Sequence, residues 1–398
     1  MRDDRLMKFV KRSHNNAKYV DNIFSIVNMC KADTLPSKVD GTAGCLRDET
    51  GKLFIYRTVF ESEKEVSDIE KASYASSPAG NKDYIEKLSQ YILDGRVDKP
   101  HGAIAAMGGT GAIYAAIKLC LDQNDPIIYP SIAWGNYRLM AEEFNLKALT
   151  YDIYDLDDLF AKIDSVERPF VVINSPCQNP CGHSYTIEEW DRIIDKLNSV
   201  EGEAILLNDN AYIDYSYGDS RKFMECFNRI NDNVLVMMAS SCSKSFSYYG
   251  VRMGALLAIH NDQEYIDSFI NLASKLARTT WSNPNNGAMI NLARVLDKHY
   301  PEFCKERDEA VAMLKRRTDL FIAQADEAGL EYYPYTEGFF VTLKFNDQES
   351  RDALHQKMID SHIYTIKMNK GIRIGLCAIP LDKVDGLAGR IKQLKDNL

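Results

Sequence analysis

Between residues 127 and 259 short apolar runs alternate with amphipathic stretches, and this alternation is the strongest signal in the chain. The runs at 127–129, 148–151, 170–174, 204–208, 234–239 and 254–259 are brief, apolar or β-rich, and bounded by turn residues. Such runs predict strands buried on both faces. Segments 113–121, 134–144 and 187–197 carry apolar residues at helical spacing, as does 84–93, which stops before Gly95. Strands alternating with helices predict an α/β fold with a mostly parallel sheet covered by helices. After Asn285 the pattern changes. Long helices are expected over 286–298 and 302–328, then a strand at 339–345, a helix at 350–361, a strand at 372–376 and a closing helix. Residues up to about Lys52 are polar and broken by Gly41, Gly44 and Gly51, which predicts a helix followed by loops and short extended pieces. The expected division is a large α/β domain over 56–300 and a smaller α+β domain built from 1–55 and 301–398.

Composition narrows the class. With 398 residues, 45% of them hydrophobic and 26% charged, the chain can build a full core, so disorder and small disulfide scaffolds are set aside. The net charge of −9 argues against non-specific nucleic-acid binding, which needs a basic face. The most apolar stretches, 234–239 and 255–259, fall far short of the roughly 20 residues that span a bilayer. The charged N-terminus offers no apolar export core. Nine cysteines, an odd number scattered along the chain, read as reduced thiols, and the cytoplasm is the expected compartment.

The most informative segment is ASSCSKSFSYYGVRMG (239–254). It sets Lys244 among Ser241, Ser243 and Ser245 behind a buried strand, with Arg252 eight residues on. A snorkelling surface lysine is one reading. The other is a Schiff-base lysine, with hydroxyls and an arginine supplying donors to a phosphate. Upstream, GGTGA (108–112) runs straight into a helical segment, where free backbone N–H groups and the helix dipole favour an anion. It is neither a dinucleotide fingerprint, because Tyr114 stands where a small residue must pack, nor a nucleotide P-loop, because the Lys-Ser/Thr is missing. In NSPCQNPCGH (174–183), Asn179-Pro180 can aim an amide into a site or form a plain turn. Cys177, Cys181 and His183 admit a zinc reading, although their spacing with an internal proline is not a usual structural-site pattern. In NDNAY (208–212), Asp209 ends a strand with Tyr212 three residues later; singly it could be a loop cap.

Taken in order, GGTGA, PSIAWGNY (130–137), NSPCQNPCG, NDNAY, SCSKSFSYYGVRMG and GIRIGL (371–376) resemble the successive signatures of class I pyridoxal-phosphate (PLP) aminotransferases. RDETGK (47–52), residues 72–74 and RTTWSNP (278–284) are similar to the aspartate and aromatic branch. The resemblance covers nearly the whole chain and implies PLP fold type I, with a mostly parallel sheet of the seven-stranded type. It implies that Lys244 holds PLP, that Asp209 pairs with the pyridine nitrogen, and that Tyr212 and Asn179 donate to the phenolate oxygen. Trp134 would stack on the ring, and Gly109, Thr110, Ser241 and Arg252 would bind the phosphate, helped by Tyr74 of a neighbouring subunit. Arg373 would grip the substrate α-carboxylate with Gly44 nearby, and Arg278 of the neighbour would receive a side-chain carboxylate. A homodimer with shared active sites follows.

The implied reaction moves an amino group from aspartate or an aromatic amino acid to a 2-oxo acid such as 2-oxoglutarate. A β-elimination lyase or a non-catalytic PLP-binding regulator would reuse the same cofactor residues. The chain departs from the family pattern at Cys181, a threonine in the usual motif; at Tyr137, where a histidine is common; and at Thr280 and Trp281, in place of asparagine and tyrosine.

Overall fold

Continuous apolar runs leave strands no solvent face, so they pair where helices can cover both sides. The computed structural model describes residues 22–398; the start of the expected 1–55 segment, residues 1–21, lies outside the described residues. After a two-residue strand β1 (Val39–Asp40) come β2 (His101–Ala106), β3 (Pro126–Pro130), β4 (Lys147–Tyr151), β5 (Phe170–Asn174), β6 (Ala204–Asp209), β7 (Val234–Ser241) and β8 (Gly254–Ile259). Strands β2 to β8 form one seven-stranded sheet in the order β2-β8-β7-β6-β5-β3-β4. Neighbours from β7 through β4 run parallel, while β8 lies antiparallel to both β7 and β2. The α/β class and the mostly parallel sheet are as expected.

Side chains alternate between two cores. Val171, Ile173, Leu206, Val236 and Leu257 enter one, while Phe170, Val172, Leu207, Met237 and Leu256 enter the other. Helix Ile187–Asn198 covers the first face with Trp190, Ile193, Ile194 and Leu197 and starts in a capping box made by Thr186 and Glu189. Helices Gly108–Cys120 and Gln263–Thr280 cover the second, through residues such as Ile113, Ile117, Ile266 and Phe269.

A third core joins the two ends of the described chain. Strands β9 (Phe340–Lys344), β10 (Ile363–Tyr364), β11 (Ile366–Met368) and β12 (Gly371–Gly375) complete the set; β11-β12-β9 is an antiparallel sheet, and β1 pairs parallel with β10. The 29-residue helix Tyr300–Ala328 links the cores, with Phe303, Ala310 and Leu314 in the large one and Phe321 and Ala325 in the small one.

Two expectations need correction. The edge strand β2 (HGAIAA) was not anticipated, because alanine and glycine carry little strand signal. Trp134 does not open a helix. The helix is Asn136–Glu143 with Gly135 as its N-cap, which leaves Trp134 in the preceding loop.

Candidate active site

The site forms where the carboxyl ends of β5, β6 and β7 meet the N-terminus of helix Gly108–Cys120, as expected for such sheets. Gly108 has a φ of +69°, and a Cβ there would lie 2.7 Å from Nη2 of Arg252. A Cβ on Gly109 would approach the Ser241 side chain to 3.2 Å. The glycines therefore let the helix start close under serine and arginine donors. Arg252 itself adopts φ +56° and donates from Nη1 to Ser243 Oγ at 2.9 Å and to the Tyr249 carbonyl at 3.0 Å. Backbone N–H groups at a helix start, together with hydroxyls and a guanidinium, suit a phosphate.

Asp209 ends β6 and is buried. Its Oδ2 accepts from the Tyr137 hydroxyl at 2.5 Å and its Oδ1 from the Ala211 N–H at 3.2 Å. Burial raises its pKa from 3.8 to about 6, against the lowering effect of these two donors. Beside it, Asn174 Nδ2 donates to the Asp209 carbonyl at 2.8 Å, and Asn174 Oδ1 accepts from the Asn179 N–H at 2.8 Å.

Lys244 sits in the short helix Cys242–Ser245 directly after β7. Its Nζ donates to the Gly44 carbonyl and lies 4.8, 5.5 and 5.6 Å from the ring centroids of Tyr249, Tyr212 and Phe339. Burial, with Arg373 and Arg252 nearby, lowers its pKa and favours the neutral amine. Arg373, on β12, is also buried. It donates from Nη2 to the Thr42 carbonyl at 3.0 Å and from Nη1 to Asn179 Oδ1 at 3.3 Å, with its guanidinium carbon 4.4 Å from the centroid of the Phe340 ring. Its Nε is buried without a hydrogen-bond partner.

A cleft of about 680 Å³, open mouth included, is lined by Gly109, Thr110, Trp134, Asn179, Asp209, Tyr212, Ser241, Lys244 and Arg252. Gly44 adjoins it through Lys244, and Arg373 through Asn179. Tyr74, 87% exposed, and Arg278, exposed and bonded to Ser282 Oγ at 2.8 Å, stand on the surface away from these contacts. Ser243, one of the serines expected around Lys244, also lines the cleft, as do Asn174, Ala211 and Tyr249, to which the sequence assigns no role there. Tyr249 lay inside a quoted motif, but nothing local separates it from Tyr248. Cys177 and Cys181 are buried thiols whose pKa burial raises, Cys181 to about 12, and His183 lies between Tyr154 and Tyr185. Among the described residues no three His, Cys, Asp or Glu side chains are placed to hold a metal.

Residues 38–391 match the family model for aminotransferase class I and II. The chain belongs to that family. As an aminotransferase it is 25% identical to the tyrosine aminotransferase of Rhizobium meliloti, over 75% of this chain and 78% of that one. It is 24% identical to the aspartate aminotransferase of Haemophilus influenzae, over 93% and 96%. An aminotransferase structure from Anaerococcus prevotii superposes with a TM-score of 0.91 at 30% identity, covering 97% of this chain and 98% of that one. The enzyme is a PLP-dependent transaminase, and the lyase and regulator alternatives are not favoured.

The residues present fit the cofactor. A buried primary amine, a buried carboxylate and an anion cradle line one cleft, and each matches a different part of PLP. The carboxylate has a cost that can be measured. Because the folded pKa of Asp209 lies above 3.8, its ionised form opposes folding; this cost is absent below pH 3.8, grows as pH rises and is complete above about 6. The shift corresponds to about 3 kcal/mol. Asp209→Asn should therefore raise the melting temperature of the cofactor-free protein above pH 6, and little at low pH, while weakening PLP binding. Thermal melts across this pH range check it, and a variant less stable at neutral pH would contradict it.

Proposed function

We propose that this aminotransferase takes its amino group from aspartate or an aromatic amino acid and passes it to 2-oxoglutarate. The observation that carries the reading is the meeting in one cleft of Lys244, Asp209, Tyr212, Asn179 and Arg252, with Arg373 one hydrogen bond away. The names of the relatives, tyrosine, aromatic-amino-acid and aspartate aminotransferases, support the donor class.

When bound, PLP supplies an electron sink for the bond broken at the substrate α-carbon. Asp209 would hold the proton on the ring nitrogen, and Tyr212 and Asn179 would donate to the phenolate oxygen. Trp134 would pack on the ring, while Gly109, Thr110, Ser241 and Arg252 would hold the phosphate. Lys244 would hold the cofactor, and its amine, whose lowered pKa favours the neutral form, would serve as base and acid at the substrate α-carbon. Arg373, with Gly44 beside it, receives the substrate α-carboxylate and orients the Cα–H bond, an effect of its planar fork.

The remaining two residues act from a second copy. Tyr74 and Arg278 are exposed, and a homodimer would bring Tyr74 to the partner's phosphate and Arg278 to the partner's substrate side chain. Among the described residues no helix is long and apolar enough to cross a membrane, and all nine cysteines are free, which supports a cytoplasmic enzyme.

A donor screen against 2-oxoglutarate tests the proposal; transfer from neither aspartate nor aromatic donors would overturn it. Arg278→Ala should lower kcat/KM for dicarboxylic substrates by roughly 10- to 100-fold, as for a lost charged hydrogen bond, and leave aromatic donors nearly unchanged. Equal losses in both classes would remove Arg278 from specificity.

A further inference from the structure

A second cavity opens between the segment that follows Tyr212 and the linking helix Tyr300–Ala328. It encloses about 1100 Å³, mouth included, and shares no lining residue with the cleft. Its floor is charged and buried. Asp214, in the turn Ile213–Tyr215, accepts at Oδ1 from Nη2 of Arg221 at 2.5 Å. Arg221 is 8% exposed, donates from Nη1 to Ser220 Oγ at 2.6 Å and lies 5.0 Å over the Tyr91 ring. Burial works against the Asp214 charge, but the Arg221 guanidinium and the nearby Ser245 and Tyr91 hydroxyls hold its carboxyl below the usual range. A second guanidinium, Arg307 on the linking helix, faces the same tyrosine and carboxylate. Its Nε and Nη2 donate to Asp308 at 3.2 and 3.0 Å. The Tyr91 hydroxyl is buried among these groups and has no hydrogen-bond partner among the described residues.

We propose that this cavity binds a small organic oxyanion, a carboxylate or a phosphate monoester on an aromatic body, as an effector of the enzyme. Two guanidinium groups share one buried carboxylate, so the floor keeps an excess of positive charge that an anion would offset. Forked guanidinium donors and a buried, protonated phenol suit an oxyanion. The remaining carboxylates of the cavity, Asp94, Asp219 and Asp308, are exposed at its rim, where water and salt screen them. The rings of Tyr91, Tyr217 and Tyr300 offer flat apolar walls to the body of the ligand. The effector role rests on the reading of Tyr212 and Lys244 as active-site groups. Asp214 lies two residues past Tyr212, and its neighbour Tyr215 donates to the Lys244 carbonyl at 3.2 Å. An anion that draws Arg221 away from Asp214 would therefore shift the turn that sets both.

Benzoate and phenyl phosphate are the probes, and they distinguish a carboxylate ligand from a phosphate one. Calorimetry on the Arg373→Ala holoenzyme, which lacks the substrate carboxylate site, should show one of them binding at one site per chain. Adding Arg307→Ala should weaken that binding by roughly 10- to 100-fold, the range for a lost charged hydrogen bond, and Tyr91→Phe by roughly 3- to 10-fold. Arg307→Gln keeps the stem and carries the comparison if the alanine variant misfolds. With Arg373 in place and the amino donor saturating, so that competition is suppressed, the bound probe should lower kcat by about threefold or more. Arg307→Ala should cancel this inhibition while leaving kcat without the probe within about twofold.

Binding of neither probe, or binding indifferent to Arg307, would overturn the site. Binding that leaves kcat unchanged would overturn the effector role. The calorimetry needs no turnover, so a failed reading of Lys244 would appear in the Lys244→Ala assay and not in the binding.

Discussion

Replacing Lys244 with alanine is expected to lower transamination by about four orders of magnitude or more, the scale lost with a general base, with the loss of covalent attachment added to it. The expectation follows from where the amine sits. Its Nζ is surrounded by Tyr212, Tyr249 and Phe339 and donates to the Gly44 carbonyl, so it does not snorkel to solvent. Burial and two nearby guanidinium groups depress its pKa, leaving a neutral nucleophile accessible where an exposed lysine would stay charged. The variant should fold, because Lys244 belongs to a four-residue helix whose neighbours Cys242 and Phe246 supply the core packing. Stopped-flow and steady-state assays on protein with an unchanged melting curve check the result. Activity within tenfold of the parent would remove Lys244 from catalysis.

The second large effect belongs to Arg373. Arg373→Ala should cost about 2–5 kcal/mol of transition-state binding, as for truncating one partner of a buried charge pair. That is roughly 30- to 4,000-fold in kcat/KM, and it should fall on dicarboxylic and aromatic donors alike, because every amino acid presents the same α-carboxylate. The guanidinium lies over Phe340, is tied to Thr42 and Asn179, and keeps Nε free in a buried setting. Arg373→Lys should recover little, since an ammonium keeps the charge but not the planar fork. Kinetics across a donor series measure this; losses confined to one donor class would show that the arginine reads side chains.

The sequence disclosed the central sheet because strands buried on both faces are continuous apolar runs; 170–174 and 254–259 match β5 and β8 residue for residue. It hid β2, whose alanines pack well but signal weakly, and it hid the end of the Trp134 loop, where Gly135 caps the helix without a side chain. Lys244, Asp209 and Arg252 were legible because each follows directly from a strand or turn with its own motif. Tyr137 and Tyr249 were not. Tyr137 meets Asp209 across 72 residues, and Tyr249 accepts from the Leu46 N–H across 203, and pairings of that kind leave no local pattern. Tyr74 and Arg278 lie in family motifs yet stand exposed on a single copy, so the roles proposed for them would require a second one.

The claim beneath all of this is that one amine, that of Lys244, attaches the cofactor. Borohydride reduction of the PLP-loaded enzyme followed by peptide mapping by mass spectrometry tests it directly. The account predicts the reduced cofactor's mass on Lys244 and on no other lysine; the same mass on a different lysine, or none anywhere, would contradict it.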